Sequence, residues 1–211
     1  ATTTIVLKQI MQDTRDMVRN NLDMQARMQD TNDEITRVKA ELESVKAMAE
    51  KDALTGLKNR GSFDRTIDNI VYGEQAESTS LIILDIDHFK RINDHYGHLV
   101  GDRVIRYVAA LLLQIIGKEN HIARFGGEEF AIILHNESPD SLTALSNKVR
   151  IAMGNSKLQR KDSGETIGKV TLSAGITQLK SDDSAETLIE RADKALYKAK
   201  ESGRNKVVFY E

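Results

Sequence analysis

The chain has 211 residues, with 30 basic and 32 acidic side chains and no cysteine. The nearly balanced charge gives no reason to expect a nucleic acid or an anionic membrane surface as a partner. Without cysteine, disulfides and thiolate metal sites are excluded, and without an apolar run of about eighteen residues no membrane contact is expected within this chain.

Residues 1–51 predict one long helix, because they contain neither glycine nor proline and are rich in charge. Apolar side chains recur there at coiled-coil spacing, and ten of thirteen core positions are apolar. The a positions are Leu7, Thr14, Asn21, Met28, Ile35, Leu42 and Ala49, and the d positions are Ile10, Met17, Met24, Thr31, Val38 and Val45. An asparagine at an a position favours a dimer in one register. The alternative is a single amphipathic helix lying on the next domain, but the run is longer than a small domain usually buries.

Residues 52–211 predict one α+β domain, with helices flanking a central, mostly antiparallel sheet. In chain order we predict a helix from about Arg60, a strand at 81–85, helices near Asn93 and at 103–116, a hairpin with strands at 121–123 and 130–134, a helix after Pro139, a strand at 169–178, a helix at 185–200 and a last strand at 205–209. The polar stretch 154–168 predicts an exposed loop or a short hairpin.

The strand that begins at Leu81 is uniformly apolar and ends in two acids, Asp85 and Asp87. Such a run predicts a strand buried on both faces. A carboxylate at the end of a buried strand is costly unless it binds a cation or hydrogen-bond donors, and strand ends are where α/β proteins bind ligands.

The segment 124–130, Arg-Phe-Gly-Gly-Glu-Glu-Phe, places two more carboxylates beside a glycine pair. We predict positive φ angles at Gly126 and Gly127, as in a tight hairpin. Hairpin tips are also often acidic for solubility alone, so the segment by itself leaves both interpretations open. Hard oxygen ligands favour Mg²⁺ or Mn²⁺ over zinc. His95 and His98 share a face if one helix holds both, but two histidines lack the other ligands of a zinc site.

Five segments in order now resemble one family, the GGDEF family of diguanylate cyclases, in the variant spelled Gly-Gly-Glu-Glu-Phe. The matching segments are 52–60, 85–94, 96–102, 124–130, and 192–200 together with 203–205. The resemblance covers residues 52–211 and leaves residues 1–51 as a helical signalling segment. It implies the palm-like fold of nucleotide cyclases, and the condensation of two GTP molecules into cyclic di-GMP with release of two pyrophosphates.

The resemblance also implies a metal centre. Asp85, Glu128 and the main-chain carbonyl of Ile86 match the family's metal ligands, and two Mg²⁺ or Mn²⁺ ions are expected in each active site. Glu129 matches a position with either a metal or a proton-acceptor role. Glu128, Glu129 and Lys90 are the residues for which the resemblance implies a catalytic role.

Lys90 matches a residue that steadies the triphosphate, helped by main-chain N–H groups around His88 and Phe89. Lys200 and Arg204 match further phosphate contacts. Basic residues near a helix C-terminus also complement the helix dipole, so these two residues have an ordinary structural alternative.

The guanine base is matched by three residues, Asp102 as the carboxylate, Asn93 as a second polar contact and His98 as a further candidate. A carboxylate accepts from the guanine N1–H and N2 groups, whereas adenine would place a lone pair against it. The alternative is that Asn93 lies in a turn and Asp102 caps a helix.

One departure concerns product inhibition. Many family members carry Arg-x-x-Asp before the glycine pair, but Gly117 and Asn120 stand at those positions here. The family's inhibitory site is therefore not expected in this chain, because a bidentate arginine clamp cannot form.

The reaction needs two catalytic domains, so we expect a homodimer through the N-terminal helix. The chain begins with Ala1, directly in helix-type sequence, and we expect it to be part of a longer protein with an upstream sensor domain. We expect the catalytic part in the cytoplasm. Three alternatives stay open: a silent receptor for GTP or cyclic di-GMP, a dimerising module alone, and a cyclase that uses ATP or mixed nucleotides.

Overall fold

The computed structural model describes residues 2–73, 78–159 and 166–210. It divides into two compact units, one that ends at Ala49 and one that begins at Glu50. Each unit is described by itself below.

The first unit is the single helix α1, Thr2–Ala49, of 48 residues. Its surface carries hydrogen bonds between side chains four residues apart, such as Gln9 to Asp13 and Gln29 to Asp33. The predicted long N-terminal helix is confirmed. Nine of its large apolar side chains at the predicted a and d positions are 46–67% exposed within this chain, namely Leu7, Ile10, Met17, Met24, Met28, Ile35, Val38, Leu42 and Val45.

The second unit has five helices and five strands in its described residues. They are α2 (Arg60–Val71), β1 (Thr79–Ile86), α3 (Phe89–Tyr96), α4 (His98–Ile116), β2 (His121–Arg124), β3 (Glu129–His135), α5 (Pro139–Gly154), β4 (Leu172–Gln178), α6 (Ala185–Glu201) and β5 (Val207–Tyr210). The strands form one sheet in the order β2-β3-β1-β4-β5, and only the β4–β5 pair is parallel. The predicted α+β fold with a mostly antiparallel sheet is therefore confirmed.

Strand β1 lies at the centre of this sheet, and all eight of its residues are buried. Its side chains alternate between two apolar clusters, with Ile82 and Leu84 on the face covered by α3, α4 and α5, and Leu81 and Ile83 on the face covered by α2 and α6. Continuing the alternation places the side chain of Asp85 on the α2 and α6 face. The uniform apolar run therefore reflects burial on both faces.

Two local predictions differ from the structure. Gly126 and Gly127 do not have positive φ angles; the described glycines that do are Gly56, Gly97, Gly117 and Gly203. The loop between β2 and β3 holds four residues, so it closes without the two-residue turn that would require left-handed glycines.

His95 and His98 belong to different helices, because Gly97 with φ 82° ends α3 and precedes α4. The shared helical face that a zinc pair would need is absent.

In the polar stretch 154–168, Gln159 forms an isolated antiparallel β-bridge with Thr166, and residues 160–165 lie outside the described part. Throughout the described chain, no helix combines the length and apolar character that crossing a bilayer requires.

Candidate active site

The acids at the end of β1 and the start of β3 are brought together by strand pairing. Asp85 lies directly opposite Glu129 in the antiparallel register, so both side chains leave the same face of the sheet. Glu128 is attached to the same strand end, because its carbonyl oxygen accepts a hydrogen bond from the N–H of Ile86 at 3.3 Å. Three carboxylates from two distant segments thus meet where β1 ends and β3 begins.

The charges of these carboxylates affect one another. Burial raises the pKa of Asp85, the ion pair with Lys200 opposes that rise, and the charges of Glu129 and Asp87 add to it. Burial also raises the pKa of Glu128, as do the charges of Asp85 and Glu129, while Lys200 opposes the change. A partly buried group of like charges favours either proton uptake or a bound cation. Among the described residues, however, no three histidine or acidic side chains already stand in a metal-binding arrangement.

Asp87 has a structural role. Its carboxylate accepts hydrogen bonds from the hydroxyls of Thr171 at 2.6 Å and Ser173 at 2.7 Å, and from the N–H of Asn205 at 2.9 Å. These donors satisfy the buried charge. Asp87 therefore ties β4 and the segment before β5 to the end of β1.

The glycine loop is held by a residue whose role the sequence did not reveal, Arg124. Its guanidinium donates to the carbonyl oxygen of Gly127, from Nη2 at 2.7 Å and from Nε at 3.2 Å. The Nη1 atom donates to both carboxylate oxygens of Asp52, at 3.3 and 3.2 Å. Asp52 also accepts from the N–H and hydroxyl of Thr55, at 2.9 and 2.7 Å. The only sequence signal was that Asp52 and Arg124 both lie inside family-like segments.

The pKa of Asp52 is lowered: burial alone would raise it, but hydrogen bonds from Thr55 and the charge of Arg124 outweigh burial. Asp52 therefore stays ionised as the anchor of the loop. Gly126 does not have the predicted positive φ angle, and a Cβ there would lie 2.5 Å from Oε2 of Glu129, the movable end of that side chain. The small residue leaves room for that carboxylate.

A turn at His88 follows β1 and starts helix α3. His88 is left-handed, with φ 57° and ψ 30°, and α3 begins at Phe89. The N–H groups in the first turn of a helix have no partner within the helix, and they point towards an incoming anion. Lys90 is exposed in this turn, and Phe89 is buried. The turn therefore combines main-chain donors with a flexible cation.

The junction of α3 and α4 holds Asn93, His98 and Asp102, the residues for which the resemblance predicts contacts with the base. Oδ1 of Asn93 is buried and has no hydrogen-bond partner in the part of the chain that the structure describes. Asn93 lies against Gly101, where an added Cβ would overlap that oxygen. Asp102 follows Gly101 in the second turn of α4, so it does not cap the helix, which begins at His98. His98 is exposed and lies one turn before Asp102 on the same helical face.

Two basic residues near the end of α6 lie in different places. Lys200 points to the acids, with Nζ 2.9 Å from Oδ2 of Asp85. Arg204 is exposed in a left-handed conformation after Gly203, and its N–H donates to the carbonyl of Ala199 at 3.0 Å. The main chain at Arg204 therefore caps α6, while the ammonium of Lys200 lies in the acidic site.

The segment 117–120 ends α4. The side-chain amide of Asn120 donates to the carbonyl oxygen of Ile116 at 2.8 Å, and Gly117 has φ 96°. Gly117 and Asn120 thus terminate α4, and neither side chain carries the guanidinium that a bidentate clamp would need.

Comparison with known proteins identifies a family and several relatives that are similar to this chain. A family described as diguanylate cyclase, GGDEF domain, matches residues 49–206. Over 203 residues the chain is 36% identical to diguanylate cyclase VdcA of Vibrio cholerae, covering 96% of this chain and 59% of that protein. It is 39% identical over 168 residues to diguanylate cyclase DgcP of Pseudomonas aeruginosa, covering 79% of this chain and 25% of that protein. The chain thus spans less than two thirds of the length of these relatives.

Among solved structures, the chain is similar to the coiled coil and GGDEF domain of DgcB from Caulobacter crescentus in complex with c-di-GMP. The TM-score is 0.80 at 37% identity, over 88% of this chain and 98% of that chain. It is also similar to diguanylate cyclase SiaD of Pseudomonas aeruginosa in complex with its activator SiaC, with a TM-score of 0.70 at 28% identity, over 96% of this chain and 82% of that chain.

Proposed function

Because the chain belongs to the GGDEF family of diguanylate cyclases, we propose that it condenses two GTP molecules into cyclic di-GMP and releases two pyrophosphates. One observation carries the proposal. The carboxylates of Asp85, Glu128 and Glu129 share one strand end, and the next residues along the chain form the N-terminal turn of α3. A cation site beside an anion site is what a metal-bound triphosphate requires.

We propose Mg²⁺ or Mn²⁺ as the cofactor, two ions per active site, held by Asp85, Glu128 and the carbonyl of Ile86. The donor set fits, since it consists of oxygens only and its carboxylates repel one another without a counter-charge. Bound there, the metal would neutralise phosphate charge and lower the pKa of the attacking hydroxyl. Glu129, opposite Asp85, fits either of two roles, an additional metal ligand or the acceptor of the hydroxyl proton.

The remaining residues position the nucleotide. The N–H groups at His88 and Phe89 and the ammonium of Lys90 bind the triphosphate, and Arg204 reaches it from the end of α6. The 3′-oxygen of one GTP, having lost its proton, attacks the α-phosphorus of the other. The bond from that phosphorus to the bridging oxygen breaks, and pyrophosphate leaves. Repeating the step with the roles exchanged closes the ring.

Guanine selection rests on the junction of α3 and α4. The buried Oδ1 of Asn93 is an acceptor that has no hydrogen-bond donor among the described residues, and the N1–H and N2 amino group of guanine are donors. Asp102 supplies a second acceptor one residue beyond the contact of Asn93 with Gly101, and His98 lies on the same face of α4. Adenine offers an acceptor at N1, which would leave these oxygens without a donor.

Each catalytic domain binds one GTP, so two must meet. We propose a parallel homodimer through α1, whose nine large apolar a and d side chains are 46–67% exposed within one chain and would be covered in a two-stranded coiled coil. Dimerisation makes the second encounter effectively intramolecular. The segment of residues 1–51, which contains α1, then transmits a signal from an upstream sensor to the catalytic domain of residues 52–211. We place that domain in the cytoplasm, where GTP is available.

Purified protein with GTP and Mg²⁺, followed by identification of the product, tests the proposal. We expect cyclic di-GMP together with two pyrophosphates per molecule, and no turnover by Asp85→Asn or Glu128→Gln. A silent receptor or a dimerising module would release no pyrophosphate. A cyclase for ATP would give a cyclic adenine product in competition. Full turnover by Asp85→Asn would refute the metal assignment.

A further inference from the structure

The ammonium of Lys200 forms an ion pair with Asp85 in the acidic site. Its Nζ lies 2.9 Å from Oδ2 of Asp85, and the two side chains are 29% and 8% exposed. Burial raises the pKa values of Glu128 and Asp193, and the charge of Lys200 opposes both rises, together with Arg60 at Asp193. Lys200 is therefore a counter-charge for three carboxylates, and it shares Asp193 with Arg60.

The position of this lysine follows from the fold. Lys200 lies in the last turn of α6, and α6 packs on the face of the sheet to which Asp85 points. Its long stem lets the ammonium reach from the helix to the strand end, and the same stem allows the ammonium to move by rotating side-chain torsions without moving the helix.

A cation bound by Asp85 must compete with this ion pair. A carboxylate oxygen that accepts from an ammonium at 2.9 Å presents less negative charge to a divalent ion, and the two positive charges repel at close range. The acidic site therefore has two possible occupants, the protein's own ammonium and an external metal.

We propose that Lys200 is an exchangeable counter-ion, which holds Asp85 until a divalent cation displaces it and which then pairs with the triphosphate of the incoming nucleotide. This inference rests on the proposed function, since it needs a metal at Asp85 and a phosphate near α6. Its consequence is that the binding of the metal and the binding of the nucleotide are coupled. The metal binds weakly by itself because it must break an ion pair, and nucleotide and metal bind well together because the displaced ammonium gains a phosphate partner.

Removing the charge of Lys200 while keeping its aliphatic stem isolates the competition between its ammonium and a divalent cation for Asp85. We expect Lys200→Met to bind Mn²⁺ about tenfold more tightly than wild type in the absence of nucleotide, the ratio that corresponds to one hydrogen bond between charged groups. The same variant should bind a non-hydrolysable GTP analogue less tightly, and the analogue should tighten Mn²⁺ binding less than in wild type. Lys200→Arg keeps the charge and should retain the weak Mn²⁺ affinity of wild type.

Titrating Mn²⁺ into the full chain and following free Mn²⁺ by electron paramagnetic resonance measures these affinities without any turnover. Lys194→Met is the matched control, because Lys194 lies on the same helix, is 53% exposed and pairs with Glu190. It should leave Mn²⁺ affinity unchanged. Circular dichroism of each variant confirms that the fold is retained.

The outcomes separate this inference from the function beneath it. Tighter Mn²⁺ binding by Lys200→Met that is lost in the double variant with Asp85→Asn supports the exchange. If Lys200→Met binds Mn²⁺ no more tightly than wild type, or if neither protein binds it detectably, the exchange is overturned. If wild type with the GTP analogue binds Mn²⁺ and Asp85→Asn does not, the metal centre stands even when the exchange fails. If Asp85→Asn changes Mn²⁺ affinity neither in wild type nor in Lys200→Met, both the exchange and the metal centre fail.

Discussion

Replacing Arg124 by methionine tests how far the catalytic acids depend on the loop that carries them. The guanidinium joins the carbonyl oxygen of Gly127 to the carboxylate of Asp52, and the two side chains are 18% and 20% exposed. Methionine keeps much of the stem but removes every donor. Asp52 retains its bonds from Thr55, so it is not left without partners.

The expected loss of stability is moderate. Hydrogen bonds to charged groups contribute about 1.5–3 kcal/mol each when buried, and pairs near the surface contribute less. Since Asp52 and the loop carbonyl are partly exposed and water can replace the lost donor, we expect a cost of about 1–2 kcal/mol. For a unit of this size, that corresponds to a Tm lower by about 2–8 °C.

The expected loss of turnover is larger. Glu128 follows Gly127 directly, so releasing the loop lets the carboxylate drift, and a displacement of about 1 Å in a reacting group costs about 10²-fold in rate. We expect kcat to fall by about that factor with little change in KM for GTP. Lys in place of Arg124 keeps the charge without the planar fork, and should give an intermediate rate.

Thermal denaturation and pyrophosphate release measure the two effects, with Arg106→Met as the control at an exposed position of α4. Asp52→Asn should weaken the same connection, and the double variant should lose less than the sum of the two single losses, because one interaction is removed twice. Unchanged kcat in Arg124→Met, with the expected drop in Tm, would show that the loop holds Glu128 without this arginine.

Four further outcomes follow from the site. Burial raises the pKa of Asp85 in the folded state, so its contribution to the free energy of unfolding is lost as pH rises through that pKa. In metal-free protein, urea denaturation should therefore show a smaller decline in stability for Asp85→Asn than for wild type between about pH 4 and about pH 7. Equal declines would contradict this. Asp102→Ala should reduce the preference for GTP over ATP by about 10- to 100-fold in a competition assay, and an unaltered preference would remove Asp102 from base selection. Deleting residues 1–45 should lower specific activity at low protein concentration and make it concentration-dependent; activity that is independent of concentration would argue against dimerisation through α1. Cyclic di-GMP titrated into an initial-rate assay should inhibit weakly or not at all through segment 117–120, whereas strong noncompetitive inhibition would contradict that prediction.

The sequence by itself determined what depends on neighbours in the chain. Heptad spacing and the absence of glycine and proline predicted α1, and a uniform apolar run predicted the buried strand β1. The acids at the strand end and beside the glycine pair could be identified as candidates because ordered family-like segments contain them.

Only the tertiary structure decided which candidates meet and what each one does. Asp85 and Asp87 are two residues apart in the chain, yet they have different partners. Asp85 faces the lysine of α6, whereas Asp87 accepts from Thr171 just before β4, from Ser173 in β4 and from Asn205 before β5. The connection of Arg124 to Asp52 spans 72 residues of chain. Such contacts depend on strand register and helix packing, which fix positions between residues far apart in sequence, and local periodicity carries no information about them.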